Sequence, residues 1–369
     1  MATEVGEGDV TPRVTTAADA RPRRWILHVD LDQFQVSVER LRAPELVGVP
    51  VIVGGAGDPH APRTVVTCAS YEARDVGVRA GMPLRTAHRK LPDAVYLPTD
   101  HETYDIASEE VMTVLRGLGH PVEVWGWDEA YVGADVEDPR ALAATIIRRI
   151  REETGLTCAV GISDNKQRAK MATNFAKEQP PGTDRVDILT AETWMARMGD
   201  HPCRDLWSVG PKTAQKLTAM DVHSVADLVA TPRETLVERF GNHQGTWLYV
   251  LARGGGDATI TEEPHVARSH SKVQTFPTDV TDVDELHRRA SALAADVLAL
   301  VRAEGRVVSH VAVTVRTSTF FTRTKSRKLP TPTTHLTDIE PTVHTLLDRF
   351  ELDRPVRLLG VRLDLVLDD

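Results

Sequence analysis

The sequence has few cysteines, few aromatic residues and no long apolar run. Its 369 residues include three cysteines, Cys68, Cys158 and Cys203, which are spaced too widely for a disulfide framework or a Cys-x-x-Cys metal site. No segment is long and apolar enough to span a bilayer. Residues 1–22 lack the apolar region of a signal peptide and are predicted to be a disordered tail. These absences predict a cytoplasmic protein with no membrane partner.

Basic residues are also in deficit. The net charge of −9 argues against a nucleic-acid partner when it is taken alone, because phosphate binding usually leaves a basic footprint. The deficit is not uniform, since basic residues outnumber acidic ones between Val266 and Lys328. A local basic surface is therefore compatible with the sequence. The length allows two to four globular units.

Hydrophobic periodicity predicts strands that alternate with helices in the first half of the chain, which favours an α/β core. The predicted strands include Trp25 to Val29, Thr64 to Thr67, Val122 to Trp127 and Thr157 to Ile162. A mainly helical part follows to about Gly256, and within it Leu206 to Leu228 has the form of a helix-hairpin-helix. The remainder reads β-α-β-β-α-β, with one strand at Phe320 to Leu329, and predicts a small α+β domain.

Two acidic pairs stand at the ends of predicted strands: Asp30 with Asp32, and Asp128 with Glu129. If the strands are neighbours, several carboxylates gather around one point and repel one another unless a metal ion is present. Mg²⁺ prefers carboxylate oxygens together with substrate phosphates, and two such ions can serve an in-line displacement. The alternative is that these residues are solvated surface acids.

Basic and hydroxyl groups near these acids favour a phosphate substrate. Tyr71 and Arg74 stand one helical turn apart and could reach a common anion. Lys170 and Lys177 lie on the run 165–177, just after a predicted strand. A triphosphate needs such cations because positioning supplies most of the catalysis of phosphoryl transfer. Singly, Arg74 could instead form a surface ion pair, and Tyr71 could be a partly buried aromatic residue.

Four segments together resemble the Y-family DNA polymerases, with the actinobacterial type of the DNA polymerase IV branch as the nearest group. They are Asp-Leu-Asp-Gln-Phe at 30–34, Ser-Tyr-Glu-Ala-Arg at 70–74, Asp-Glu-Ala-Tyr at 128–131 and Val-Gly-Ile-Ser at 160–163. Their order and spacing, and the helix-hairpin-helix that follows, agree from about Trp25 to the C-terminus. The match is therefore more specific than any single motif.

The resemblance implies a multidomain right hand of α/β and α+β parts. Its predicted divisions are a palm at 23–33 and 100–187, fingers at 34–99, a helical thumb at 188–256, a linker at 257–265 and a little finger at 266–369. The implied activity is low-fidelity, template-directed DNA polymerisation in translesion synthesis and repair. The implied partners are primer-template DNA and an incoming deoxynucleotide, and the chain is expected to act as a monomer.

The resemblance also implies the roles of individual residues. Asp30, Asp128 and Glu129 are expected to be catalytic and to bind two Mg²⁺ ions, or Mn²⁺, together with the main-chain carbonyl of Leu31. Asp32 is expected to cap or orient the neighbouring loop instead. The expected nucleotide-binding residues are Phe34, Gln35, Cys68, Tyr71, Arg74 and Lys177, of which the last four lie near the phosphates.

Three positions depart from the family pattern. Gln35 stands where the family usually has an aromatic ring that collides with a ribose 2′-hydroxyl. A flexible amide that can hydrogen-bond this hydroxyl predicts weakened discrimination against ribonucleotides, unless Gln35 blocks the space by bulk. Cys68 replaces a Ser or Thr, which weakens one phosphate contact because a thiol is a weak donor. Trp127 precedes the acidic pair, where it is expected to be structural.

DNA contacts are predicted in two places. The hairpin with Gly210 and Lys212 could present backbone N–H groups to a phosphate. Arg323, Lys325 and Arg327 alternate along a predicted strand and suit a phosphate backbone, although charges that protect an exposed sheet edge are the alternative. The C-terminal segment from Arg362 lacks the Gln and the aromatic residue of a clamp-binding peptide, which argues against tethering to the sliding clamp.

Two other functions are compatible with parts of the pattern. A non-catalytic scaffold that binds primer-template DNA could have the same fold, but it would not require Asp30, Asp128 and Glu129. A metal-dependent nuclease uses the same two-ion chemistry, but it does not require a triphosphate set such as Tyr71 and Arg74. The residues therefore favour a polymerase.

Overall fold

The computed structural model describes residues 24–180, 183–263 and 266–366, so the predicted tail at 1–22 lies outside the described residues. The strands are β1 (Trp25–Leu31), β2 (Val51–Val53), β3 (Cys68–Ala69), β4 (Val95–Leu97), β5 (Val122–Val124), β6 (Glu129–Ala134), β7 (Cys158–Ser163), β8 (Val186–Ile188), β9 (Ser269–Val280), β10 (Val308–Thr317), β11 (Thr322–Thr333) and β12 (Val356–Leu365). None of the described helices is long and apolar enough to cross a membrane.

The helices alternate with the strands in the first part of the chain and follow one another in the middle. They are α1 (Phe34–Arg42), α2 (Tyr71–Asp75), α3 (Leu84–Lys90), α4 (His101–Arg116), α5 (Pro139–Thr154), α6 (Lys166–Lys177), α7 (Ala191–Met198), α8 (Pro211–Thr218), α9 (Val225–Ala230), α10 (Arg233–Phe240), α11 (Asn242–Ala252), α12 (Val283–Ala303) and α13 (Leu336–Asp348). The chain forms two compact units: Met1–Asp58, Val66–Met82 and Ala87–Pro264, and Pro59–Val65, Pro83–Thr86 and His265–Asp369.

A five-stranded sheet in the order β5-β6-β1-β7-β8 forms the centre of the first unit. Strand β1 is buried on both faces because its residues are apolar at nearly every position. Leu27, Val29 and Leu31 join the core that α4 and α5 cover, and the alternate residues, including His28 and Asp30, face α6. The strand therefore delivers its acidic side chain to the α6 side of the sheet.

Gly161 in β7 allows helix α6 to approach this sheet closely. A Cβ atom at Gly161 would lie 2.1 Å from the carbonyl oxygen of Ala169 and 2.2 Å from the backbone nitrogen of Thr173. Any larger residue would push the helix away from the strand. Asn165 caps the start of α6 by accepting a hydrogen bond from the N–H of Arg168.

The rest of the first unit comprises a small sheet and a helical part. The small sheet has the order β3-β2-β4, and α1 and α2 contact it. The helical part has its own core around the fully buried Trp194. Helices α8 and α9 correspond to the predicted helix-hairpin-helix.

The second unit confirms the predicted β-α-β-β-α-β order. Its four strands form an antiparallel sheet in the order β11-β10-β12-β9. Helices α12 and α13 cover one face of this sheet with a core of aliphatic side chains. We call the other face the open face of the second unit.

Three predicted strands have wrong boundaries or positions. The strand predicted at Thr64 to Thr67 is instead the short β3 at Cys68–Ala69. The strand predicted to end at Trp127 ends at Val124, because the N–H groups of Trp125 and Gly126 both donate to the carbonyl of Glu129 in a tight reversal. The strand predicted from Phe320 begins at Thr322, since Phe320 has a positive φ of 63° in the preceding turn.

Candidate active site

The predicted carboxylates gather at one end of the central sheet. The antiparallel register of β1 and β6 pairs Asp30 directly with Glu129, and the carbonyl of Asp128 accepts the N–H of Leu31 at 2.8 Å. Ligand atoms of His28, Asp30 and Glu129 lie within 4.8 Å of one another. Asp128 is outside that group of three, but it lines the same cavity as Asp30. The four groups therefore gather at one sheet end, although Asp128 itself is exposed.

Two lysines of α6 neutralise part of this negative charge. Lys177 forms an ion pair with Asp30, and Lys170 forms one with Glu129. The two lysines are seven residues apart, which corresponds to two helical turns, so one helix face presents both ammonium groups. Because α6 lies close to β1, this face meets the carboxylates.

The surroundings shift the pKa values of Glu129 and Asp128 in opposite directions. A hydrogen bond with His28 lowers the pKa of Glu129 to about 2, with burial opposing the shift and Lys170 adding to it. Burial raises the pKa of Asp128, and the negative charges of Asp30 and Glu129 raise it further. Glu129 is therefore held as a carboxylate, whereas the fold disfavours the charge on Asp128.

His28 is a residue of the site that the sequence analysis did not identify. It is fully buried, and its Nε2 lies 3.2 Å from Oε2 of Glu129 while its Nδ1 lies 2.8 Å from the hydroxyl of Thr173. Burial lowers the pKa of His28. The available signal was its place two residues before Asp30, which puts both side chains on one face of a strand.

A cavity of about 390 Å³ adjoins the carboxylates. It brings together eight residues that the sequence predicted for the site, and they are Asp30, Leu31, Phe34, Gln35, Cys68, Arg74, Asp128 and Lys177. Acidic and basic side chains therefore share one opening. The same cavity includes Gln33, Thr67 and Trp127.

Tyr71 and Arg74 lie on the short helix α2, as predicted. Ser70 caps the N-terminus of this helix by accepting a hydrogen bond from the N–H of Ala73. The Nε of Arg74 donates to the carbonyl of Ala69 at 2.8 Å, and its guanidinium lies 5.2 Å from the centre of the Tyr71 ring. These contacts leave Arg74 at the wall of the cavity.

The hydroxyl of Tyr71 donates to Oδ1 of Asp32 at 2.7 Å. Asp32 also accepts hydrogen bonds from Thr157 and from Arg185. Burial raises the pKa of Tyr71 to about 12, and the charge of Asp32 contributes, so the phenol stays protonated near neutral pH. Asp32 therefore orients a neighbouring side chain.

Gln35 is tethered in the structure. The hydroxyl of Thr67 donates to its side-chain carbonyl at 2.7 Å. Beside it, the thiol of Cys68 is buried, and this burial raises its pKa. The wall at Gln35 is thus an amide held by a neighbouring hydroxyl.

Trp127 packs and also borders the cavity. Its indole lies against the rings of His101 and Tyr104, and its Nε1 donates to Asp105 at 2.6 Å. These contacts agree with the structural role that the sequence analysis expected.

Comparison with known proteins yields three family models that match consecutive parts of the chain. The impB/mucB/samB family matches residues 29–174, the DNA polymerase-iota thumb domain matches residues 204–255, and the C-terminal domain of the impB/mucB/samB family matches residues 267–366. DNA polymerase IV 2 of Mycobacterium tuberculosis is 54% identical over 345 residues, which cover 93% of this chain and 98% of the relative. DNA polymerase IV of Methanoculleus marisnigri is 37% identical over 349 residues, covering 93% and 94%. The chain belongs to the DNA polymerase IV branch of the Y family.

Solved Y-family polymerases have the same fold. A chimera of the Y-family polymerases Dbh and Dpo4 superposes with a TM-score of 0.81 at 23% identity and covers 93% of this chain and 100% of its own. An insertion ternary complex of Dbh DNA polymerase superposes with a TM-score of 0.60 at 23% identity, covering 94% and 100%. The predicted fold class, a Y-family right hand with a helix-hairpin-helix thumb, is confirmed.

The site of this Y-family polymerase fits the divalent metal on which the family depends. Its donors are hard carboxylate oxygens, which Mg²⁺ prefers. Three carboxylates lie at one sheet end, and the ammonium groups of Lys170 and Lys177 pair with two of them. These ammonium groups show that the cluster attracts positive charge. Asp30, Asp128 and Glu129 are therefore suitable ligands.

The predicted DNA-binding residues lie in both units of the polymerase. Gly210 directly precedes α8, and Lys212 lies in its first turn. Arg323, Lys325 and Arg327 pair across the sheet with the buried Val315, Val313 and Val311. They therefore share one face, as predicted, and it is the face that the helices cover. The ammonium of Lys325 donates to the carbonyl of Arg349.

Repulsion within the carboxylate cluster predicts that Asp128→Asn stabilises the metal-free polymerase. The variant removes a charge that Asp30 and Glu129 disfavour, so we expect its thermal midpoint to rise by a few degrees at pH 8. The gain should shrink as the pH falls through the raised pKa of Asp128, because the wild-type carboxyl is then neutral. Glu137→Gln, at an exposed acid, should show no gain. An unchanged or lower midpoint for Asp128→Asn would contradict the prediction.

Proposed function

We propose that this chain extends a primer 3′ end on a DNA template by phosphoryl transfer at the cluster of Asp30, Asp128 and Glu129. The observation that carries the proposal is the cavity where Asp30 and Asp128 meet Arg74 and Lys177. Acids alone would suit a nuclease, and cations alone would suit many phosphate-binding sites. Both together suit a metal-bound nucleoside triphosphate.

Two Mg²⁺ ions, replaceable by Mn²⁺, are the cofactor in this proposal. Asp30, Asp128 and Glu129 hold them, together with the carbonyl of Leu31. When bound, the ions would stabilise the negative charge on the attacking oxygen and on the leaving oxygen of the displacement. His28 hydrogen-bonds Glu129 and fixes its orientation, as outer partners of metal ligands commonly do.

The basic side chains act on the triphosphate. Arg74 and Lys177 donate to the β- and γ-phosphates, and Tyr71 adds a hydroxyl donor that stays protonated. The primer 3′-hydroxyl attacks the α-phosphate, and pyrophosphate leaves. The cations stabilise the negative charge that develops on the departing group. Cys68 contributes less to the phosphates than a hydroxyl would, because a thiol is a weak donor.

Extension of a labelled primer-template with Mg²⁺ and deoxynucleotides tests this function. We expect the wild type to extend the primer and Asp128→Asn to lose more than about a hundredfold in rate, since even outer partners of a metal site are typically worth ten- to a hundredfold. Glu137→Gln should extend normally, and EDTA should abolish extension by all three proteins. Wild-type protein that binds the DNA but never extends it would favour the non-catalytic scaffold.

Gln35 sets the sugar selectivity in this proposal. Its carbonyl is already engaged by Thr67, so its amide NH₂ is the end that can donate to a ribose 2′-hydroxyl. A hydrogen-bond donor at this position lets the site tolerate the 2′-hydroxyl, which an aromatic ring would exclude. We therefore infer weak discrimination against ribonucleotides.

Single substitutions at Gln35 separate a hydrogen-bonding wall from a wall that acts by bulk. We expect Gln35→Tyr to raise the kcat/KM ratio of dGTP to GTP by about ten- to a hundredfold. Gln35→Ala should raise this ratio by about two- to tenfold, because GTP loses the hydrogen bond to its 2′-hydroxyl. The measurement is single-nucleotide insertion opposite template cytosine. A wild type that strongly rejects GTP, and accepts it after Gln35→Ala, would show that Gln35 blocks by bulk.

The second unit binds DNA through its sheet in this proposal. Arg316, Lys328 and Arg362 lie on the open face, because the strand register places them on the side of the sheet opposite to the buried valines of β10. The predicted row of Arg323, Lys325 and Arg327 remains a second candidate at the edge strand. Lys325 is already bonded to the chain, and on the open face Arg362 is paired with Asp364. We rank the open face first because the row lies on the side of the sheet that the helices cover.

The salt dependence of DNA binding compares the two sets of cations. Replacing Arg316, Lys328 and Arg362 together by Gln should reduce the slope of log K against log salt by roughly 0.9 for each phosphate that the variant no longer neutralises. The same change at Arg323, Lys325 and Arg327 should reduce it less. Fluorescence anisotropy of a primer-template from low to moderate salt gives both slopes. Equal slopes for the open-face variant and the wild type would exclude that face.

The C-terminal strand β12 is paired on both sides, with β10 and β9. Leu363 and Leu365 are buried in β12. We propose that this segment does not serve as a clamp-binding peptide and that the chain acts as a monomer. A gel shift with purified sliding clamp tests for clamp binding, and we expect no shifted complex.

A further inference from the structure

A buried ion pair lies beside the carboxylate cluster and is not part of it. Asp32 directly follows β1, Arg185 directly precedes β8, and their side chains are only 7% and 8% exposed. Nη1 of Arg185 donates to Oδ1 of Asp32 at 2.6 Å. Such pairs are weak evidence for stability, because the cost of removing both charges from water offsets their attraction.

The pair contacts two residues that the proposed function assigns to the triphosphate. Oδ1 of Asp32 accepts the hydroxyl of Tyr71 at 2.7 Å. Nη2 of Arg185 donates to the main-chain carbonyl of Lys177 at 2.8 Å. Lys177 is the last residue of α6, where helical carbonyls lack partners within the helix. One ion pair therefore connects α2 to the C-terminal end of α6.

We propose that Arg185, acting through Asp32, is a positioning residue for the incoming nucleotide. It fixes the phenol of Tyr71 relative to the end of α6 and thereby sets the spacing of two phosphate-binding side chains. It also balances the charge of Asp32. Without Arg185, the Asp32 carboxylate would compete more strongly with a phosphate oxygen for the hydrogen bond that the Tyr71 hydroxyl donates. This inference rests on the proposed function, since it concerns the same nucleotide site.

The arrangement predicts an effect on nucleotide affinity that is larger than the effect on turnover. The side chain of Arg185 bonds Asp32 and the carbonyl of Lys177, neither of which is a proposed metal ligand. Its effect is therefore expected where Tyr71 and Lys177 meet phosphate. Pyrophosphate presents the same two phosphates without base or sugar. Loss of the pair should therefore weaken dNTP and pyrophosphate binding by similar factors.

Three variants isolate this role. Arg185→Met removes both hydrogen bonds and leaves Asp32 unpaired. Arg185→Lys retains the positive charge beside Asp32, which protects folding. Its single ammonium group cannot replace the two guanidinium nitrogens that bond Asp32 and the carbonyl of Lys177 at once. Thr157→Val is the matched control, because Thr157 donates to the other oxygen of Asp32 at 2.9 Å and contacts neither Tyr71 nor Lys177 through its side chain.

The first measurement is the dissociation constant of the correct dNTP from the complex with a dideoxy-terminated primer-template. We expect about a ten- to hundredfold rise for Arg185→Met and about a three- to tenfold rise for Arg185→Lys, as for loss of charge-assisted and single hydrogen bonds. Thr157→Val should stay within about twofold. The KM for pyrophosphate in the reverse reaction should rise in parallel, with kcat for extension changed by less than about threefold.

A double-mutant cycle with Tyr71→Phe tests the route of the effect. If Arg185 acts through Asp32 and Tyr71, Arg185→Lys should cost less in the Tyr71→Phe background than in the wild type. Unchanged dNTP affinity in a folded Arg185→Lys, or a loss confined to kcat, would overturn the inference. A wild type that extends no primer would instead overturn the proposed function, so the two failures are distinguishable.

Discussion

Mutual repulsion among Asp30, Asp128 and Glu129 is the constraint on which the first unit depends. The register of β1 and β6 pairs two of these acids directly and leaves the third one residue away. Three carboxylates this close together at one sheet end cannot all keep their charge without compensation. The fold compensates with Lys170 and Lys177 from a single helix. The pKa of Asp128 is still raised, first by desolvation and then by the charges of Asp30 and Glu129.

The position of that helix follows from backbone packing. Gly161 has no side chain, so the backbone of α6 lies against β7, where a Cβ atom would overlap it. This close approach brings the cationic face of α6 to the acids on β1. At the other end of α6, Arg185 binds the carbonyl of Lys177. A glycine in the core thus determines an electrostatic property of the site.

The sequence predicted the parts of the structure that local patterns encode. Strand periodicity located Asp30 at a strand end, and the order of motifs identified the family. His28 and Arg185 were missed because their roles depend on partners more than a hundred residues away. Alternation showed that Arg323 and Arg327 share a face. Which face of the sheet the helices cover depends on tertiary packing, so the pattern did not reveal it.

Three departures from the family pattern, Gln35, Cys68 and Trp127, border the active-site cavity. Asp30 and Lys177, which we propose to bind metal and phosphate, match the pattern, and Cys68 is the one departure at a proposed phosphate contact. Charge interactions supply most of the affinity for a triphosphate, and they do not depend on the wall that meets the sugar. That wall can therefore change the choice of nucleotide while the chemistry of transfer stays the same.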